Sequence, residues 1–231
     1  MKNINIFALL LLLLTFACGG GGGGGSDKSS DSPEQEEEAT GSVAFGKYVA
    51  FLRPVNTRVN GFINSGKAEL SVDTNFSIKL IMDDAPGVVH IQSLHLGKSC
   101  PQLSGDTNKD GYIDIIEADA FTGQVIIPLD ENLEAQNHGS RNFPTGKSYT
   151  FNRHANLKKM IKDLQLPDAN PQDRVIKLST NSELDLEGRV IVIHGTYESP
   201  KLPATVQTRD GLTPQQSIPI ACGRIKKVAE I

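Results

Sequence analysis

The stretch Phe76-Ser77-Ile78-Lys79-Leu80-Ile81-Met82 decides the fold class, because apolar and polar side chains alternate along it as far as Leu80. A period of two places one face of a strand in a core and leaves the other wet. Similar short apolar runs, bounded by Gly, Pro, Asn, Asp or Ser, recur on both sides of it. They predict strands at Val43 to Phe51, Arg58 to Ile63, Ala68 to Val72, Val88 to His95, Val125 to Leu129, Tyr149 to Phe151, Val175 to Leu178, Arg189 to His194 and Ile218 to Cys222. So many short strands in one stretch of chain predict a β-sandwich or barrel. One segment has a different period. Leu157, Met160, Ile161 and Leu164 fall at helical spacing with Lys158, Lys159, Lys162 and Asp163 between them, which predicts a short amphipathic helix packed on the sheet.

The N-terminal portion follows other rules. Met1 and Lys2 precede an unbroken apolar run from Ile6 to Leu14, which is a secretory signal too short to span a bilayer. It closes as Thr15-Phe16-Ala17 before Cys18, and this resembles the lipobox of bacterial lipoproteins. The resemblance implies a signal peptide over residues 1–17 and a lipid-bearing Cys18 that anchors the chain to a membrane. Gly19 stands where an inner-membrane retention signal would have Asp, which implies the outer membrane. Seven glycines, Gly19 to Gly25, lead into a Ser-, Asp-, Glu- and Pro-rich stretch that cannot bury apolar surface, so residues 18–41 read as a flexible tether. The single domain then covers residues 42–231.

Charge follows the same division. Of the 27 acidic and 23 basic residues, residues 26–40 hold six acids against Lys28 alone, and residues 41–231 hold 21 of each. A balanced domain with no Lys/Arg block offers no footprint for nucleic acid, and no protein partner is legible. Three cysteines occur. With Cys18 in the anchor, Cys100 and Cys222 are the remaining thiols of an exported chain, and a disulfide between them is the default.

The chemistry lies in Asp106-Thr-Asn108-Lys-Asp110-Gly111-Tyr112-Ile113-Asp114-Ile-Ile-Glu117, a complete twelve-residue EF-hand calcium loop. Ca²⁺ takes six to eight hard oxygen ligands, and this spacing supplies them. Asp106, Asn108 and Asp110 give side-chain oxygens at positions 1, 3 and 5, and Tyr112 a backbone carbonyl at 7. Asp114 contributes at 9, directly or through water, and Glu117 at 12 with both oxygens. Gly111 sits at the sharp turn, and Ile113 at position 8 would pair with a second loop or pack into the domain. Pro101 and Gly105 leave no room for an entering helix, so only a short exit helix, Asp114 to Phe121, is expected. With one such loop and three Met in the chain, a cooperating sensor pair that opens a Met-rich groove is excluded. The ion is expected to be structural, at the affinity of extracellular modules.

Two further blocks carry a resemblance. Gly188-Arg189-Val-Ile-Val-Ile-His194 and Ile220-Ala221-Cys222-Gly223-Arg224-Ile225 resemble the last strands of Cu/Zn superoxide dismutases. Pro86 to Cys100, with Ser93-Leu94-His95, resembles that family's His-x-His copper strand and the half-cystine after it. The resemblance implies a Greek-key β-sandwich or barrel of eight strands, mainly β, with the calcium loop, its exit helix and the other short helix added. It also implies the Cys100–Cys222 pairing and copper-ligand positions at His95 and His194. Ser93 replaces the first His of the pair, no His lies between Pro101 and Asn137, and Pro219 stands where the family's guiding Arg would be. The catalytic site is therefore expected to be lost, with Ca²⁺ in place of the zinc of the corresponding loop. His138 and His154 are expected at the surface. Two alternative functions stand beside the calcium reading: a copper protein using His95 and His194, and a calcium-dependent adhesion or partner-binding module. No Gly-x-Ser-x-Gly, Cys-x-x-Cys, His-Glu-x-x-His or phosphate loop occurs.

Overall fold

The computed structural model describes residues 44–57, 64–135, 142–166, 178, 184–197, 201–209 and 211–229. The signal peptide, the tether, Cys18, His138 and the predicted strand at 58–63 lie outside these residues, as does 175–178 apart from Leu178. Eight strands are present: β1 Gly46–Pro54, β2 Ser65–Val72, β3 Asn75–Asp83, β4 Gln92–His95, β5 Val125–Pro128, β6 Tyr149–Asn156, β7 Val190–His194 and β8 Pro219–Lys227. Three helices accompany them: α1 Ile115–Thr122, α2 Leu157–Leu164 and α3 Pro214–Ser217.

The strands form one curled sheet in the order β5-β4-β7-β8-β1-β2-β3-β6, and every pairing is antiparallel. The chain leaves β3 for β4, and β6 for β7, across the sheet rather than by hairpin. Those jumps, with the passage from edge strand β5 to the opposite edge strand β6, make the mainly β fold a Greek key. β8 joins the halves: Cys222 pairs with Arg53 of β1 on one side and with Val192 of β7 on the other.

The alternating pattern of β3 is obeyed throughout. Phe76, Ile78, Leu80 and Met82 are buried, while the residues between them reach solvent. These side chains join Leu52, Leu70, Ile126, Ile127, Ile191, Ile193 and Ile220 in one apolar core. Strands β4, β5 and β7 are buried at every position; β5 and β7 accordingly read as apolar runs, whereas β4 buries Gln92, Ser93 and His95 around Leu94. Helix α2 buries the predicted stripe, Leu157, Met160, Ile161 and Leu164, and Asn156 caps it by accepting from the Lys159 amide.

Two predicted boundaries move. The strand expected over Val88 to His95 begins only at Gln92. His90 is buried, its Nε2 lies 2.6 Å from the Pro86 carbonyl, and its ring stacks on Tyr149 with centroids 5.3 Å apart. Those contacts hold residues 86–91 as a loop. At the other end, β6 and β8 run past their apolar cores to Asn156 and Lys227, because their exposed ends still pair with β3 and β1.

Residues 39–231 make a compact unit that contains all eight strands and the entire described core. Cys100 and Cys222 are bonded across 122 residues of that unit. In the chain-entropy model a loop of this length stabilises the native state by about 4–5 kcal/mol. Replacing both cysteines by Ser in residues 39–231 is therefore expected to lower the urea unfolding midpoint by that equivalent. An unchanged midpoint would show that the unfolded chain gains nothing from release of the link.

Candidate calcium loop and the histidine pair beside it

The loop begins after a single 3-10 turn, Leu103–Gly105, which replaces an entering helix. Its first carboxylate turns inward: Asp106 accepts from the amides of Asp110 at 3.1 Å and Gly111 at 2.8 Å. Asn108 Oδ1 accepts from the Asp110 amide at 3.0 Å, and Asp110 Oδ1 from the Tyr112 amide at 2.9 Å. Lys109 and Gly111 have φ of 59° and 88°, so the chain folds back twice within three residues. At Gly111 the left-handed backbone explains why glycine is used.

Asp114 closes the loop and starts α1. Its Oδ1 accepts from the amides of Ile116 and Glu117, both at 2.9 Å, and Glu117 Oε2 accepts from the Asp114 amide at 3.2 Å, a complete capping box. The other Glu117 oxygen reaches back to the start of the loop, accepting from the Thr107 amide at 2.7 Å and hydroxyl at 2.8 Å. Asp114 is 1% exposed and Glu117 7%. Two carboxylates this deeply buried persist because backbone N–H groups surround them.

The donor set suits a hard cation: four carboxylates, one amide oxygen and the Tyr112 carbonyl, with no sulfur or imidazole among them. Every carboxylate oxygen that accepts one hydrogen bond keeps a further lone pair. Among the described residues no three His, Cys, Asp or Glu side chains converge as the ligands of one ion. The loop instead spreads its oxygens around a turn, and Glu117 bonds residues 107–108.

Ile113, at position 8, packs into the domain against Val55, Val190, Val192, Ala118 and Cys222. Its backbone is not left unpaired. The Asn56 side chain accepts from the Ile113 amide at 2.7 Å and donates to the Ile113 carbonyl at 2.7 Å. A side-chain amide after β1 thus supplies the two bonds that a second loop would supply in a paired EF-hand. The Asn56 amide also donates to the Pro219 carbonyl at 2.9 Å, which ties the loop to the start of β8.

A segment without any motif or period of its own, residues 201–209, lies along the loop. The Gln207 amide donates to Asp114 Oδ2 at 2.8 Å, the Thr205 hydroxyl to Asp110 Oδ2 at 2.7 Å, and Asn108 Nδ2 to the Thr205 carbonyl at 3.1 Å. Arg209 pairs with Asp119 of α1 through the nitrogen Nη2. Leu202, Val206 and Ile218 pack together, with Tyr112 of the loop against them. No periodicity marks Thr205, Gln207, Arg209 or Asn56, because their role depends on contacts about 90 or more residues away along the chain, or about 60 for Asn56.

His95 ends β4 and His194 ends β7, at opposite ends of their antiparallel ladder, each 4% exposed. His95 Nδ1 lies 3.0 Å from the Gly123 carbonyl and Nε2 2.8 Å from the Ser93 hydroxyl. Since a carbonyl only accepts, Nδ1 carries the proton and Nε2 accepts from Ser93. His194 Nδ1 lies 3.3 Å from the Ile91 carbonyl. Burial pushes His95 down to about 4, opposed only in part by the Gly123 carbonyl and the charge of Asp119. Burial, reinforced by repulsion from His95, pushes His194 down to about 3. Both rings are neutral near pH 7. His154 is exposed on β6, as expected.

No family model matches the chain, and no curated protein matches it. Solved structures similar to it include superoxide dismutase 5 of Candida albicans. A Glu-to-Gln mutant of that protein has a TM-score of 0.41 at 12% identity, covering 82% of this chain and 96% of its own. A Glu-to-Ala mutant gives 0.39 at 10%, covering 82% and 94%, and the copper(II) form gives 0.38 at 10%, covering 81% and 95%. At such values the chemistry is left to the residues of this chain.

The two histidines predict a pH dependence. Each ring takes up its proton near pH 6.5 when unfolded, but only at about 4 (His95) and about 3 (His194) when folded. The unfolded chain therefore binds protons first, and stability is lost as pH falls from 6.5 toward 4, by about 1.4 kcal/mol per unit and per ring. A His95→Asn/His194→Gln variant is expected to melt with a shallower pH dependence over that range. An identical slope in both proteins would mean that the rings titrate normally.

Proposed function

We propose that this protein is anchored to the cell envelope by lipid on Cys18, at the outer membrane, and binds one Ca²⁺ through Asp106, Asn108, Asp110, Tyr112, Asp114 and Glu117. The ion's role is structural: it holds the loop, α1 and residues 201–209 as one unit, and the protein acts by binding or support rather than by catalysis. The observation that carries this reading is the spacing of the oxygen donors, with Asp106, Asn108, Asp110, Tyr112, Asp114 and Glu117 at positions 1, 3, 5, 7, 9 and 12 and Gly111 at φ 88° where the loop turns. The lipid anchor is supported by the apolar run from Ile6 to Leu14 ending at Ala17-Cys18.

A copper protein using His95 and His194 has less support. The lone pair of His95 Nε2 already accepts from Ser93, so a metal would have to displace that bond inside a buried site. A calcium-dependent adhesion module would need exposed apolar surface beside the loop, whereas Leu202 and Val206 are buried there with Tyr112 packed against them.

Calcium titration of residues 39–231 by calorimetry, with thermal melting alongside, tests the proposal. One saturable site at about 10⁻⁴–10⁻³ M is expected. Millimolar calcium is expected to add about 1–3 kcal/mol of stability. Asp106→Ala and Glu117→Ala should each abolish both effects while retaining the β-sheet circular dichroism. Absence of binding at millimolar calcium would reduce the loop to a turn of calcium-like composition.

A further inference from the structure

The domain's balanced charge conceals a segregation. Residues 106–119 hold five acids, Asp106, Asp110, Asp114, Glu117 and Asp119, against Lys109. The outward face of β8, β1, β2 and β3 has the opposite sign. Across it one row runs Lys226, Val49, Glu69, Lys79, and the next runs Phe51, Lys67, Ile81. Lys47 stands one row further along β1, opposite Ser71. Four lysines thus stand against two acids, Glu69, which is paired with Lys67 at 2.5 Å, and Asp83 at the end of β3, opposite Ser65. Lys47, Lys67, Lys79 and Glu69 line a shallow open groove of about 650 Å³.

Apolar side chains stand among these charges. Phe51 is 62% exposed with the Lys67 ammonium 5.9 Å from its ring centroid, Phe45 is 59% exposed, and Val228, beside Lys47, is 44% exposed. Large apolar groups left in water amid lysines call for a partner that is both negative at its surface and apolar beneath it. A soluble polyanion would neutralise the lysines and leave Phe51 and Val228 wet. A bilayer carrying anionic headgroups answers both: phosphates meet the ammonium groups, and the aromatic and aliphatic side chains enter the headgroup boundary.

We infer that the β8-β1-β2-β3 face of the domain is a docking surface for an anionic phospholipid membrane. The inference draws on the envelope location proposed above only for its setting. Neither the anchor nor the calcium site is needed for the test, so failure of either leaves this result readable.

The test is co-sedimentation of residues 39–231, which have no Cys18, with vesicles of phosphatidylglycerol or of phosphatidylcholine. It is run in EDTA so that calcium cannot bridge protein and phosphate. Binding to phosphatidylglycerol that weakens with salt, and none to phosphatidylcholine, is expected. Each lysine near an anionic surface is worth about fivefold, so Lys47→Gln/Lys79→Gln/Lys226→Gln should lose about a hundredfold. Glu69→Gln, which removes the acid among the lysines of the groove and leaves the fold's core untouched, should gain about fivefold. Phe51→Ser should weaken binding about tenfold, including the part that survives salt. Equal binding to the two lipids, no binding to either, or indifference to the lysine and Glu69 variants would overturn the inference. So would binding of soluble heparin without vesicle binding and without effect of Phe51→Ser, which would assign the face to an anionic polysaccharide.

Discussion

The end of the barrel that carries the loop depends on the carboxylate of Asp114. It accepts from Ile116 and Glu117 to start α1, and from Gln207 to hold the segment that returns from β7 toward β8. It is also the ninth residue of the loop. A charge this buried, 1% exposed, is tolerated only while those amides face it, so helix, loop and return segment have to form together. Exit helix α1 is eight residues long and would be marginal alone. The cap and the packing of Ile115 and Ala118 make it stable in this position.

Covalent and close-packed links fix this unit to the sheet. Cys100, six residues before the loop, is bonded to Cys222, where β8 pairs with β7 on one side and β1 on the other. Gly97 passes so close to the end of α1 that a β-carbon there would lie 2.3 Å from the Phe121 carbonyl oxygen, and its amide donates to the Thr122 carbonyl at 2.6 Å. Asn56 completes the frame by occupying both backbone groups of Ile113. A lone loop has no sister to pair with, and here the barrel provides that pairing. In such a frame an ion would have little to move, so the role proposed for it is structural rather than signalling.

The sheet was legible because burial imposes periods that survive in the sequence: the alternation of β3, the apolar runs of β5 and β7, and the helical stripe of α2 each identify their element. The calcium-type loop was legible because its spacing is local, twelve residues with a glycine where φ must be positive. The disulfide followed from there being two cysteines after Cys18. What could not be read is non-local. Nothing in Thr205, Gln207 or Arg209 marks them as partners of Asp110, Asp114 and Asp119, since each contact joins residues about 90 or more apart, and Asn56 looks like any turn residue. The lysine face was hidden for a related reason. Its members come from four strands and alternate with core residues, so no run of basic residues forms.

The account holds that the loop and residues 201–209 are one calcium-stabilised unit. Hydrogen–deuterium exchange of residues 39–231, compared in calcium and in chelator, reads this directly at single amides. The account predicts that calcium slows exchange at Gly111, Tyr112 and Glu117 and, by a similar factor, at Gln207, while the β2–β3 amides stay unchanged. Slowing confined to residues 106–117, with Gln207 indifferent to the ion, would contradict it.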